Sequence, residues 1–131
     1  MPMLQLKITP PQDAQRRALL AQRLTTLTHE ILGKRRRVTA LVIEDLPKDR
    51  WFLGAEAPQE AAAWLEISVT QGTNTSDEKQ AFVEQAYREL EQQLGSLADA
   101  SYVIVREVPA TDWGFGGQTQ EARQKSRTPA P

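Results

Sequence analysis

The residue with the most chemical potential stands second in the chain. Pro2 follows Met1, and methionine aminopeptidase removes an initiating methionine readily when the next residue is as small as proline. Removal leaves a secondary α-amine. A free α-amino group titrates at about 7.7–8.0, and burial or a nearby cation disfavours its protonated form. The chemistry this offers is proton transfer near neutral pH, where general acid–base catalysis works best. The pyrrolidine ring also fixes the direction of the lone pair. Residues 3–9 read as a strand, so the amine is expected rigidly at a strand end.

Further candidates are side chains that would hold a substrate beside that amine. Arg106 lies four residues after Tyr102, with Ile104 between them, and strand residues two and four apart share a face. The three offer a phenol, an apolar wall and a guanidinium fork that grips a carboxylate bidentately. The alternative for Arg106 is an exposed arginine at a strand end. Trp51 and Trp113 are candidates for an apolar wall that keeps water from the amine, and equally for core or interface anchors. His29 follows Leu20 by nine residues, which at about 100° per residue turns it about 180° from the apolar stripe. It is expected in solvent, where the helix C-terminus favours it. Lys34-Arg35-Arg36-Arg37 reads as a solvated loop; its functional alternatives are the steering of anionic substrates and nucleic-acid binding, the latter without interleaved aromatic residues for stacking. The chain has no cysteine and one histidine, and Glu44, Asp45 and Asp49 lack metal-ligand spacing. Neither a metal nor a cofactor is expected.

The elements that must position these residues come as a repeat. Leu4-Gln5-Leu6-Lys7-Ile8-Thr9 answers to Leu65-Glu66-Ile67-Ser68-Val69-Thr70, 61 residues on. Gly33, Pro47, Trp51 and Gly54 answer to Gly95, Pro109, Trp113 and Gly116, 62 residues on. Each unit reads strand, helix, strand, turn. The strands alternate apolar and polar residues. Leu20, Leu24, Leu27 and Ile31 form the stripe of the first helix, entered after Pro10 and Pro11 and stopped at Gly33; Phe82, Ala86 and Leu90 form that of the second, from a Ser76 cap to Gly95. The apolar runs 40–43 and 102–105 read as strands covered on both faces. A strand–helix–strand crossover implies parallel, right-handed connection. The expected class is therefore α+β: a tandem β-α-β repeat forming a four-stranded mixed sheet with two helices on one face. One domain is expected, with units 2–54 and 64–117, a linker 55–63 and a polar tail 118–131, either frayed or draped over a neighbour. Its second sheet face needs a cover, which self-association supplies most simply.

Composition narrows the partners. Sixteen Lys and Arg against seventeen Asp and Glu give a net charge of −1, and a chain built to grip nucleic acid is more basic. No apolar run approaches the roughly 18 residues that span a bilayer. The N-terminus lacks a basic-then-apolar leader pattern, so the expected location is the cytoplasm, with neither nucleic acid nor membrane as partner.

The proline start, the repeat length and Arg50-Trp51-Phe52-Leu53-Gly54-Ala55-Glu56 together resemble the 4-oxalocrotonate tautomerase pattern, and the second copy, ending at Gly117, resembles the same unit fused in tandem. The resemblance covers residues 2 to about 120. It implies the tautomerase/MIF-like fold, a homotrimer, and an amino-terminal proline acting as general base or acid on an enolisable 2-oxo acid or unsaturated carboxylic acid. Dehalogenase or hydratase chemistry is the alternative within that superfamily. Several family arginines are missing: their positions hold Pro11 or Thr75, Ala40 or Tyr102, and Thr73 with Thr75. The positions answering to Pro2 are Ala63 and Trp64, mid-chain, so one chain carries one amine. The alternative of another class is a non-catalytic binding or assembly module, because the same element order is that of ferredoxin-like domains.

Overall fold

Alternation builds the first strand, β1 (Met3–Thr9), whose Leu4, Leu6 and Ile8 are buried on one face. The chain then runs through α1 (Ala14–Leu32), β2 (Ala40–Asp45), β3 (Ala62–Thr70), α2 (Ser76–Leu94) and β4 (Tyr102–Val108). The computed structural model describes residues 2–127; Met1 and the tail residues 128–131 lie outside the described residues. Strand order is β2-β1-β3-β4. β1 runs parallel to β2 and β3 parallel to β4, while β1 and β3 meet antiparallel at the centre. Ala63, Leu65, Ile67 and Val69 of β3 join the β1 residues in one core under the helices.

Local chemistry explains both helices and shifts two expected details. Asp13 caps α1 by accepting from the Arg16 N–H, and Gly33 closes it in the left-handed conformation. The buried stripe of α1 is Leu20, Leu24, Thr28 and Leu32, with Leu27 and Ile31 only partly buried. Thr28 tolerates the interior because its hydroxyl donates to the Leu24 carbonyl at 2.8 Å. The cap of α2 is Thr75 and not Ser76, because Glu78 completes a capping box only with the residue three before it. That backbone hydrogen bond from Thr75 holds the Glu78 carboxyl below its usual range. The helices pack antiparallel, joined by Arg23–Glu89 at 2.9 Å and Arg16–Gln93 at 2.6 Å. Burial pushes the Glu89 carboxyl up, but hydrogen bonds from Gln93 and Arg23 outweigh it and leave it below its usual range.

Three further expectations are corrected. The apolar second strands are the two sheet edges: Val42 is 56% and Tyr102 58% exposed. The helices cover one face, and these residues point from the other. The linker is shorter than 55–63, since Ala62 and Ala63 already belong to β3 and are fully buried; alanine fits where β3 is crowded on both faces. The tail begins as structure. A hairpin of β5 (Gly114–Phe115) and β6 (Gln118–Thr119) leads into α3 (Gln120–Arg127). It docks through Gln120 N–H to the Trp113 carbonyl and Glu121 N–H to the Ala110 carbonyl, both at 2.9 Å. Among the described residues, no helix is long and apolar enough to cross a membrane.

The repeat extends to the turns. Leu53-Gly54-Ala55-Glu56 and Phe115-Gly116-Gly117-Gln118 both make two-residue hairpins with positive φ at both central positions. Ala55, at φ 68, is the one non-glycine residue among the described residues with positive φ, a conformation that crowds its Cβ. Ala55→Gly is expected to raise stability by about 1 kcal/mol, read as a higher urea midpoint at unchanged slope.

Candidate active site

Pro2 is buried at the start of β1, and its carbonyl accepts from the Ala40 N–H at 3.3 Å. This bond ties it to the first residue of β2. The register sets Met3, Ala40, Ser68 and Arg106 in one row across the sheet, so Pro2 lies one residue beyond that row. The same sheet end holds the close of β3. There Thr70, buried, accepts from Trp113 Nε1 at 3.2 Å. Trp113 thus stands at the sheet end that carries Pro2.

A cleft of about 350 Å³ opens at this end. Lys34, Arg35, Arg37 and Val38 line one side; Phe115 and Arg123 line the other. Val38 stands two residues before Ala40, the partner of Pro2, so the cleft opens at the same end of the sheet as the proline, although Pro2 itself is not among its lining residues. Arg123 is held rigidly. Its Cζ lies 3.6 Å from the Phe115 ring centroid, and its Nη2 donates to the Phe115 carbonyl at 2.9 Å. Gly116 makes room for it: a Cβ there would meet Arg123 Nη2 at 2.6 Å, and the residue's φ is +61. Gln120 also lines the cleft. It is 5% exposed, and its Nε2 has no hydrogen-bond partner. A buried amide donor left unpaired is costly. Lys34 Nζ donates to Thr73 Oγ1 at 2.8 Å. Burial pushes the Lys34 ammonium down from its usual range, opposed by the Glu78 charge.

Sequence reasoning named some of these residues and missed others. It gave Lys34–Arg37 as a solvated loop first and a steering group second; the structure lines the cleft with three of the four. It gave no role to Phe115, in the closing turn of the second unit, or to Gln120 and Arg123, in the polar tail. Their one signal was the repeat itself, since the second copy continues past the hairpin where the first turns into the linker. Among the described residues, no group of three or more His, Cys, Asp or Glu is placed to hold a metal ion.

The expected companions of Pro2 are divided between the two ends of the sheet. Arg106 is in the Met3 row, but its Nη2 lies 2.7 Å from Glu66 Oε1 on the adjacent strand. Glu66 is 7% exposed, and that oxygen gains no well-aligned hydrogen bond, so the contact is chiefly charge against charge. Tyr102 pairs with Trp64 at the opposite end, about 13 Å along the strand from Arg106 at about 3.3 Å per residue. Trp51 lies there too, in a cavity of about 540 Å³ with Tyr102, Trp64 and Lys7. A shared face does not bring residues to the same end. His29 is exposed, with Nδ1 2.8 Å from the Lys34 carbonyl, in keeping with its expected place in solvent.

A tandem β-α-β sheet with a buried proline at the start of a central strand and cations at the adjoining cleft defines the class: a two-unit α+β protein whose site is at a sheet end. The chain belongs to the tautomerase family, for the family model described as tautomerase enzyme matches residues 2–61 and again residues 64–123. Among solved structures, the F6 fused 4-OT asymmetric trimer is 25% identical with a TM-score of 0.84, over 92% of this chain and 98% of that one. Native fused 4-OT is 25% identical with a TM-score of 0.80, over 92% and 97%. N1, a member of the cis-3-chloroacrylic acid dehalogenase family, shares the fold at 24% identity and a TM-score of 0.77, over 97% and 92%. No curated protein matches the chain.

The Glu66 contact generates a test. Arg106→Ala is expected to destabilise the fold by about 1 kcal/mol, since one member of a half-exposed pair is lost. Adding Glu66→Gln should recover part of that loss, as urea denaturation of the two variants will show.

Proposed function

We propose that the chain is a tautomerase-type proton-transfer enzyme whose base or acid is the Pro2 amine, freed when Met1 is removed. The observation that carries this reading is the burial of Pro2 at a fixed strand end, the end of the sheet at which a cleft rich in cations opens. Burial disfavours the protonated amine and brings a free base within reach of neutral pH. The substrate is an enolisable 2-oxo acid or an unsaturated carboxylic acid. Its carboxylate binds Arg123, Arg37 and Arg35. Pro2 takes the proton from the enol oxygen and returns it to carbon, so the substrate isomerises with no net gain or loss. Trp113 keeps water from the amine.

This arrangement also answers one of the missing arginines. Where relatives in the superfamily carry arginine, this chain has Thr73, and the Lys34 ammonium binds that hydroxyl. The positive charge is supplied from the other unit's helix end. Protomers assemble as homotrimers in the cytoplasm, with Val42 and the open edges of β2 and β4 as the surfaces that partners cover. The fused 4-OT structure described as an asymmetric trimer supports this state.

Mass spectrometry of the protein made in cells is expected to show the chain beginning at Pro2. Turnover of phenylenolpyruvate or 2-hydroxymuconate should fall about 10²–10⁴-fold in Pro2→Ala. A retained Met1, or activity indifferent to Pro2, would overturn the reading. Arg123→Lys, which loses the bidentate fork and keeps the charge, is expected to raise KM about ten-fold with kcat nearly unchanged.

A further inference from the structure

The cavity at the far end of the sheet has no part in the function proposed above, and the repeat explains why it is there. The antiparallel pairing of β1 with β3 relates the two sheet ends as mates. Val38 and Phe115 line the cleft by Pro2; their counterparts 62 residues away, Ala100 and Leu53, line the far cavity. Trp51 there corresponds to Trp113, and Ala63 takes the place of Pro2. The nitrogen at that place is an ordinary peptide N–H, which donates to Ser101 Oγ at 3.2 Å. The two cavities thus share two lining positions by the repeat, and only the Pro2 end carries an amine.

The second hollow has kept a chemistry of its own. Trp51, Phe52, Trp64 and Tyr102 line it. They are four of the chain's eight aromatic residues, which comprise three Trp, two Tyr and three Phe, so the concentration is not incidental. Two are largely exposed in the single chain, Phe52 at 65% and Tyr102 at 58%. Clustered exposed apolar side chains of this size mark binding surfaces. Two cations stand among them, Lys7 and Arg50, and no acidic side chain lines the cavity among the described residues. Lys7 Nζ lies 5.2 Å from the Trp64 ring centroid. The volume, about 540 Å³, suits a small organic molecule.

We propose that this cavity is a second, non-catalytic binding site for a small carboxylate carried on an aromatic or conjugated group. The rings stack on the planar body, and Lys7 with Arg50 pairs the carboxylate. The two ends differ in what they select. The cleft at the Pro2 end has five cations and one ring, Phe115; the far cavity has four rings and two cations.

The three tryptophan indole N–H signals report on both ends at once, with Trp113 at the Pro2 end and Trp51 and Trp64 at the other. The full chain, labelled with nitrogen-15, is titrated with trans-cinnamate, which has a conjugated ring and a carboxylate but no keto group to enolise. Single Trp→Phe variants assign the signals. Saturable shifts of Trp51 and Trp64 are expected, unchanged in Pro2→Ala. The double variant Lys7→Gln with Arg50→Gln should weaken binding about ten-fold, and cinnamamide should bind correspondingly less well than cinnamate. Shifts confined to Trp113, no saturable movement of Trp51 and Trp64, or affinity indifferent to both charge changes would each overturn the proposal. A second copy of the chain seated over the cavity gives the result without movement. The Pro2→Ala arm separates this site's fate from that of the proposed enzyme, because it replaces the secondary amine with a less constrained primary one and leaves the far cavity intact.

Discussion

The antiparallel pairing of β1 with β3 governs the rest of the molecule. Met3 faces Ser68 and Thr9 faces Ala62, so the start of each central strand lies against the end of the other. Each sheet end is consequently composite. At the Pro2 end, the proline, its β2 partner Ala40 and the cations after α1 come from the first unit, while Thr70, Trp113, Phe115 and Arg123 come from the second. A unit of about 60 residues is marginal alone, and here it would also hold only half of the cleft. The pairing that completes the core is the one that assembles the site.

Charge is organised in the same way, by place and not by total. A chain of net charge −1 still collects five cationic residues, Lys34, Arg35, Arg37, Arg123 and Arg127, around one cleft. Three follow α1 and two lie on α3, elements far apart in sequence. Interactions between charges decay within roughly 8–10 Å in physiological salt, so a local cluster sets the potential a substrate meets. The half-buried Lys34 shows the cost of gathering them, since burial disfavours its charged form.

What the sequence disclosed was what local chemistry controls. Alternation in residues 4–8 and 65–69, the helical stripes and the glycine stops need only near neighbours, and the repeat needed only comparison of the chain with itself. Thr75 displaced Ser76 as the cap because a reciprocal bond to Glu78 depends on a single residue of register. The harder question was which residues meet. Periodicity put Tyr102 and Arg106 on one face, yet it contains nothing about ends, and the strand pairing sent them to different ones. Arg106 was legible as a carboxylate binder; that the carboxylate would be Glu66 of the next strand required the β3–β4 register. The loop of four basic residues and the polar tail each looked like solvated chain, because neither has a pattern until the other is placed opposite it.

The sheet ends at β2 and β4, and each has one side with no strand beside it. Open edges of this kind, with Val42 in water next to one of them, are surfaces that other chains can cover. An assembly that closes them gains stability by mass action, in proportion to the logarithm of how much protein is present. Robustness to heat would then be a property of the solution as much as of the polypeptide, strong in a crowded cell and fading on dilution.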